Sequence, residues 1–472
     1  MGVQPTSVRS VEIGANDPKA TSARLHYCRA NRPLNPIPLP AFPCCNRSSS
    51  RPILARCWAR ARCPPHEAGT QIVPRALVIG GSVGGLFAAC LLREIGWDVA
   101  VFEKSAGDLS GRGAGLGLSS ELFAVMRRAG VDMNPAIGVP CTWLLQLDRS
   151  GAVRSRIERP WTAGIWSRVY QPLRAAVPNA IIFPGRAIER VEQGGARVVA
   201  HFAGGGTEAG DLLVACDGAL STVRRQFLSE VEPRYAGYVA WRCLVEEQLL
   251  SADAHALLSD ALAYSFPPGE MSLSMPIPGR GDDVRPGHRS YYVIWYRPVR
   301  PDQLRDLMTD QSGRDHGLAI PPPLIRADVI AAMRRDAVAL LPPMIADVIT
   351  RTEQPLLQAI TDLEAPRMAF GRVALLGDAA FVARPHVAAG ITKAALDAAA
   401  LAEELAASAG DISIALARYE AKRLTFGRAL VDYSRKLGAA SLAPDGIRDP
   451  ERVMREYGAP HLVHDVERTA RG

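Results

Sequence analysis

Residues 75–105 read RALVIGGSVGGLFAACLLREIGWDVAVFEKS, and no other stretch restricts the fold as tightly. Leu77, Val78 and Ile79 predict a short buried strand. Leu86, Ala88, Ala89, Cys90 and Leu92 follow with helical apolar spacing, and Gly96 ends that helix. Val99, Val101 and Phe102 predict a second strand. A strand, a glycine turn, a helix and a strand in this order begin a parallel α/β sheet that can hold a dinucleotide. Gly80 permits the tight turn, Gly85 permits close packing of helix on strand, and the helix N-terminus offers free amides to a pyrophosphate. Ser82 stands where a second glycine is usual, and its small side chain still lets the backbone approach a ligand. Glu103 closes the second strand, where a carboxylate accepts hydrogen bonds from a ribose diol. Gly80, Ser82, Val83, Gly85, Glu103 and Lys104 are therefore the candidate dinucleotide contacts. This turn alone does not distinguish FAD from NAD.

The net charge of +7 raises the question of nucleic-acid binding, and its distribution answers it. Residues 1–74 hold nine Arg and Lys19 against Glu12, Asp17 and Glu67, so they carry the whole surplus. The remaining chain is balanced and offers no basic face. The same 74 residues are rich in Pro, Ser and Cys, without helical or strand periodicity, and are expected to be a disordered extension. They also resemble an Arg-rich transit peptide in composition. Beyond them, Cys90, Cys141, Cys216 and Cys243 stand singly in apolar contexts, as buried thiols of a reducing compartment do. No metal-ligand spacing is present, no apolar run reaches about 18 residues, and no secretory h-region follows the start. The body is expected in the cytoplasm, without a metal, a nucleic-acid partner or a membrane span.

Two later segments favour FAD. ACDGALSTVRR holds Asp217, and GRVALLGDAAFVARPHVAAGITKAALDA holds Gly377, Asp378, Pro385, Gly390, Ile391 and Thr392. Both follow apolar strands, so both loops lie at strand carboxyl ends, where open α/β sheets bind ligands. Asp378 suits the ribityl chain of a flavin, and the turn at Gly390–Thr392 opens a helix whose amides can face negative charge on a reduced flavin.

Together the glycine turn, the DG segment and the GD segment resemble those of single-component FAD-dependent aromatic hydroxylases, the para-hydroxybenzoate hydroxylase-like superfamily. EPRYAGYVAWR, PIPG and GDAAFVARPHVAAG look most like the branch of 2,6-dihydroxypyridine 3-monooxygenase, which also carries Ser at the second glycine position. The likeness runs from about Arg75 to Gly438. Two departures stand out: Phe381 replaces a frequent His after GDAA, and Gly117-Leu118-Ser119-Ser120 replaces a more usual Thr/Gln-Pro.

The resemblance implies an α/β fold: a glutathione-reductase-like FAD-binding domain, a mostly β substrate domain and C-terminal helices. On this reading residues 75–231 and 344–400 form the FAD domain, 232–343 the substrate domain with help from 141–159, and 401–472 a helical region. It further implies Arg112 and Arg168 as FAD contacts, and a reaction in which NADH or NADPH reduces the flavin and a C4a-hydroperoxyflavin hydroxylates an activated aromatic or hydroxypyridine-type ring. Tyr238, Trp241, Arg242, Tyr296, Pro385 and His386 are the candidate substrate contacts, with His386 and Arg242 the candidates for a direct part in the chemistry. Sheet packing is the competing role for Tyr238, Trp241 and Tyr296; a structural ion pair competes for Arg242, and a loop brace for His386. A non-hydroxylating FAD reductase or oxidase is the alternative function, and the halogenase motif GWxWxIP is absent. A flavin- or nucleic-acid-binding regulator without turnover is the third reading. The segment RDPERVMREYG is either a surface helix or a homodimer contact.

Overall fold

A computed structural model describes residues 73–109, 115–131 and 137–457. The N-terminal extension up to residue 72 and Arg112 lie outside the described residues. The first part of the fold runs β1 (Arg75–Ile79), α1 (Val83–Glu94), β2 (Asp98–Glu103), β3 (Gly115–Leu118), α2 (Ser120–Arg128), β4 (Val139–Leu147) and β5 (Val153–Ile165). Next come α3 (Trp166–Ala176), β6 (Ile182–Pro184), β7 (Ile188–Gly194), β8 (Arg197–Phe202), β9 (Thr207–Gly210), β10 (Leu212–Ala215) and α4 (Thr222–Phe227).

The sheet around β1 explains why its residues are apolar on both faces. β1 pairs in parallel with β2 on one side and β10 on the other, so Ala76 to Ile79 are buried from above and below. β6 extends the sheet beyond β2, and two later strands, β17 (Ala369–Phe370) and β18 (Val373–Leu375), extend it beyond β10. The chain passes from β1 to opposite sides of the sheet, which opens a crevice at the strand carboxyl ends. α1 covers this sheet with Leu86, Phe87, Ala89 and Cys90, and Gly96 ends it at φ +87°. β7, β8 and β9 form a separate three-stranded antiparallel sheet beside it.

The second layer is a long mixed sheet. Its elements are β11 (Arg234–Glu246), α5 (Ala252–Leu258), β12 (Ala261–Ser265), β13 (Met271–Ile277), β14 (Ser290–Pro298), α6 (Pro301–Leu307) and β15 (Ala319–Ile320). α7 (Ala327–Leu340), α8 (Pro343–Arg351) and β16 (Leu356–Glu364) complete it. The strand order is β15-β16-β11-β14-β13-β12-β4-β5-β3, and β19 (Phe381–Val382) pairs with β16. Side chains alternate along each strand. Val239, Trp241 and Cys243 face a core built with α7 and α8, while Tyr238 and Ala240 face the opposite way.

The second layer, expected from the sequence to hold substrate, is larger than the sequence boundaries suggested. α8 and β16 belong to it, because Ile345, Ile349, Leu357 and Ala359 complete the apolar core under β11. β3 and all of β5 belong to it as well. The FAD-side sheet resumes only at β17. The sequence boundary at residue 344 fails because β16 finds its partner more than 110 residues earlier in the chain.

Three further α-helices follow among the described residues: α9 (Gly390–Ala407), α10 (Ile412–Ser441) and α11 (Pro450–Glu456). Ala409 and Gly410, both at positive φ, separate the first two. Asp411 then restarts the helix, its carboxylate accepting from the Ile414 amide at 3.0 Å. Among the described residues, no helix is long and apolar enough to cross a membrane.

Candidate active site

The glycine turn is built as a cradle. Gly80 sits at φ +109°, and a Cβ there would overlap the Cys216 carbonyl oxygen. Gly81 donates its amide to Glu103 Oε2 at 2.7 Å, and Ser105 donates to Oε1 at 2.8 Å. Glu103 thus ties the turn to the end of β2 while facing the cleft. Ser82 caps α1 by backbone position alone, and its side chain makes no cap bond. The cleft has a cavity volume of about 210 Å³ and is lined by Gly80, Ser82, Glu103, Lys104, Trp166 and Asp217 among others. Asp217 accepts from the Val223 amide at 3.2 Å through Oδ2, whereas Oδ1 is buried without a protein partner. Burial raises the Asp217 pKa from its usual value. A buried acceptor facing a cleft at the dinucleotide turn fits the hydroxyl-rich part of FAD.

A second cleft, with a cavity volume of about 300 Å³, shares Trp166 with the first. Asp378, Pro385, Gly390 and Ile391 form one wall, and Arg242, Leu273, Met275 and Ile294 form the facing wall from β11, β13 and β14. Asp378 Oδ1 accepts from Lys393 Nζ at 3.0 Å. Lys393 is itself buried under the loop and also donates to the Phe381 carbonyl oxygen. Gly377 adopts φ +66°, and its amide donates to Asp397 Oδ2 at 3.0 Å. Thr392 is buried, with its hydroxyl 3.2 Å from Ser119 Oγ. The amides at the start of α9 border this cleft without a side-chain cap. An apolar cavity with a loop carboxylate and a helix N-terminus on one side suits the redox-active ring of FAD on that side, with space for a second ring opposite.

Arg242 enters the cleft from β11. Its Nη1 donates to the Tyr292 hydroxyl at 2.7 Å, and Nε is buried without a partner. No carboxylate pairs with it among the described residues, in contrast to Arg384, which pairs with Asp362 at 2.8 Å. The cleft wall therefore carries a half-buried positive charge with no carboxylate counter-ion among the described residues.

Several expected contacts fall elsewhere. Trp241 points to the opposite face of β11, into the core under α7 and α8, because successive strand residues alternate. It is a packing residue. Arg168 lines neither cleft, and its guanidinium pairs with Asp282 at 3.3 Å. Tyr238, Tyr296 and His386 lie behind the cleft wall, not on its surface. Tyr238 OH and His386 Nε2 share a 2.8 Å hydrogen bond, and the His386 ring lies 4.6 Å from that of Tyr296. His386 thus braces the loop against the substrate sheet. Val83 and Gly85 are buried in α1 and act through helix–strand packing.

The reading of the sequence missed Tyr292, Lys393, Trp161 and Tyr457, of which Trp161 and Tyr457 line the second cleft. The period-two pattern of YYVIWYR placed Tyr292 on the same face as Tyr296, which could have marked it. No sequence signal marks Tyr457.

The buried His386 makes stability depend on pH. Burial, reinforced by the nearby Arg384 charge, pushes its pKa down to about 3. An unfolded histidine titrates near 6.5. Below that pH the unfolded chain takes up a proton that the folded chain refuses. The contribution is therefore complete above pH 6.5 and falls by up to about 1.4 kcal/mol per pH unit as the pH drops toward 3. His386→Gln is expected to flatten the thermal stability profile between pH 6.5 and 4.5. Parallel profiles for variant and parent, in melts recorded by circular dichroism, would refute a buried neutral histidine.

The comparisons agree with this geometry. Residues 235–362 match a model described as FAD binding domain-like, and residues 331–434 match an FAD binding domain. The chain is 29% identical over 389 residues to 2,6-dihydroxypyridine 3-monooxygenase of Paenarthrobacter nicotinovorans, spanning 82% of this chain and 96% of that one. The solved 2,6-dihydroxypyridine-3-hydroxylase from Arthrobacter nicotinovorans superposes with a TM-score of 0.76 at 28% identity, covering 82% of this chain and 97% of that one. Klebsiella pneumoniae HpxO, solved with FAD and uric acid, superposes at 0.66 with 25% identity, covering 84% of this chain and 96% of that one. Two clefts that share Trp166, with a dinucleotide cradle in one and a loop carboxylate beside a helix N-terminus in the other, make this chain similar in sequence and fold to FAD-dependent hydroxylases.

Proposed function

We propose that this protein is an FAD-dependent monooxygenase that hydroxylates an anionic, hydroxylated heteroaromatic or phenolic ring, using NADH or NADPH and dioxygen. The observation that carries the substrate class is Arg242, a half-buried guanidinium on the wall of the second cleft with a phenol partner and no carboxylate partner among the described residues. A buried charge without a counter-ion is costly, and an anionic ligand offsets that cost on binding. The relatives named above act on a dihydroxypyridine or were solved with uric acid, both hydroxylated nitrogen heterocycles.

Each group in the clefts has a task under this reading. Glu103, Asp217 and the amides of the glycine turn hold the FAD adenosine and pyrophosphate. Asp378, kept in place by Lys393, and the start of α9 hold its ribityl and ring portions. Bound FAD supplies the electron transfer and oxygen activation. Trp161, Leu273, Met275 and Ile294 keep water from the reacting ring and fix its plane. Arg242 orients the ring through its anionic oxygen and stabilises the electron-rich form that accepts oxygen. Four free cysteines among the described residues suit a cytoplasmic enzyme.

The test is direct. The full chain is purified, its visible spectrum is recorded, and NADH and NADPH oxidation is followed with a panel of hydroxypyridines and hydroxybenzoates. The expected result is a yellow protein whose nicotinamide oxidation rises with one anionic aromatic and yields its hydroxylated product. A yellow protein that consumes nicotinamide nucleotide but releases only peroxide with every member would shift the reading to a reductase or oxidase on the same scaffold.

A further inference from the structure

The last described segment of the chain does not trail over the surface. After α10 the described residues pack on the long mixed sheet as far as Tyr457, which is buried and lines the second cleft. Two arginines fasten this segment. Arg448, almost fully buried, donates to the carbonyl oxygens of Glu270 at 2.8 Å, Pro267 at 3.0 Å and Phe266 at 3.1 Å. Arg159, from β5, donates to the carbonyl oxygens of Arg455 at 2.9 Å and Tyr457 at 3.1 Å, at the end of α11. Val453 and Met454 add an apolar seat on the sheet.

These anchors fix the position of one ring. The Tyr457 hydroxyl lies 2.8 Å from the Tyr296 hydroxyl, and its ring stands edge-on to Tyr264 at 5.8 Å and to His386 at 5.6 Å. Arg159 donates to backbone carbonyls, and Arg448 adds to its three carbonyl contacts an ion pair with the exposed Asp445 at 2.5 Å, so both guanidinium groups fix the path of the backbone. Side chains from four separate parts of the chain (Arg159, Tyr296, His386 and Arg448) thus determine where one phenol meets the cleft.

We infer that Tyr457 is a specificity-determining residue of the substrate cleft, and that Arg159 and Arg448 are positioning residues acting through it. This inference rests on the second cleft being the substrate site. In that site the Tyr457 ring sets the length of aromatic substrate admitted, and its hydroxyl gives a hydrogen-bonding group opposite the flavin-side wall. A change at Arg159, which donates to the backbone carbonyls of residues 454–457 (the strap), therefore alters substrate choice without touching substrate.

The experiment uses the FAD-loaded full chain and four variants: Tyr457→Ala, Tyr457→Phe, Arg159→Met and Arg159→Lys. Dissociation constants for 2,6-dihydroxypyridine, a hydroxynicotinate and 4-hydroxybenzoate are read from perturbation of the bound flavin spectrum. Iodide quenching of flavin fluorescence is read in parallel, without substrate. Tyr457→Ala is expected to keep its FAD content, to change the constants by about tenfold or more for some ligands and less for others, and to raise iodide quenching. Arg159→Met is expected to reproduce that pattern, Arg159→Lys to restore much of it, and Tyr457→Phe to affect only hydroxyl-dependent ligands. Constants for Tyr457→Ala within twofold of the parent, or a uniform loss across ligands, overturn the inference. If no ligand perturbs the parent flavin, the substrate-site reading fails, and unchanged iodide quenching in Tyr457→Ala and Arg159→Met then overturns the strap separately.

Discussion

Gly85→Ala is expected to yield protein that is colourless and largely unfolded. A Cβ at residue 85 would overlap the Gly80 carbonyl oxygen, far inside the 3.0 Å that real Cβ atoms keep, and would also meet Val78 Cγ1 at 3.3 Å. Both neighbours belong to the turn and strand that form the cradle, so no flexible side-chain tip can yield. Either α1 lifts off β1 or the turn opens, and each outcome destroys the cofactor cleft. Backbone clashes of this kind cost more than about 4 kcal/mol, a large part of the stability of a typical domain. Gly84→Ala, one residue earlier, is the matched control, because its Cβ would meet only the Leu376 and Ala394 side chains at ordinary distances. FAD-to-protein ratio and a thermal melt read both variants. A soluble, fully yellow Gly85→Ala protein would show that the helix does not pack on the strand as closely as described.

Arg242→Met is expected to weaken binding of anionic ring ligands by about ten- to two-hundred-fold, the range set by losing one charge-assisted hydrogen bond. Neutral ring analogues should lose much less. Thermal stability in the absence of substrate should hold or rise, because the substitution removes a half-buried charge that has no carboxylate partner among the described residues. That combination separates a ligand-binding arginine from a structural one. A structural arginine would lower the melting temperature and weaken all ligands alike. Flavin-perturbation titrations with matched anionic and neutral rings supply the first measurement, and a melt supplies the second.

The uneven legibility of this sequence has a physical cause. The dinucleotide cradle is local: Gly80, Gly85 and Glu103 lie within one strand–helix–strand unit, and each is required by a contact inside that unit. The FAD assignment could follow, because the GD and DG loops also end local strands. The substrate cleft is not local. GYVAWR reads as a strand, yet nothing in it says which parity of residue faces the cavity, so Trp241 was paired with Arg242 although they point apart. β16 was assigned to the wrong layer because its pairing with β11 spans a hundred residues of chain. Tyr457 was invisible for the same reason, its hydroxyl partner Tyr296 being 161 positions away. Phe381, noted as a departure from relatives, packs tightly against Gly427 of α10, where a Cβ would strike its ring. That packing role is settled by a helix nearly fifty residues downstream.

The two faces of β11 and β14 carry separate duties. Val239, Trp241 and Cys243 with Tyr291, Val293 and Trp295 hold the helix-covered core, whereas Arg242 and Ile294 line the cavity, with Tyr292 behind them as the partner of Arg242. Fold and ligand choice are therefore written on different residues of the same two strands. Replacing the cavity-facing set exchanges one preference for another while leaving the scaffold's cohesion almost untouched. An enzyme organised this way can acquire a new substrate by few steps, none of which must pass through an unfolded intermediate sequence.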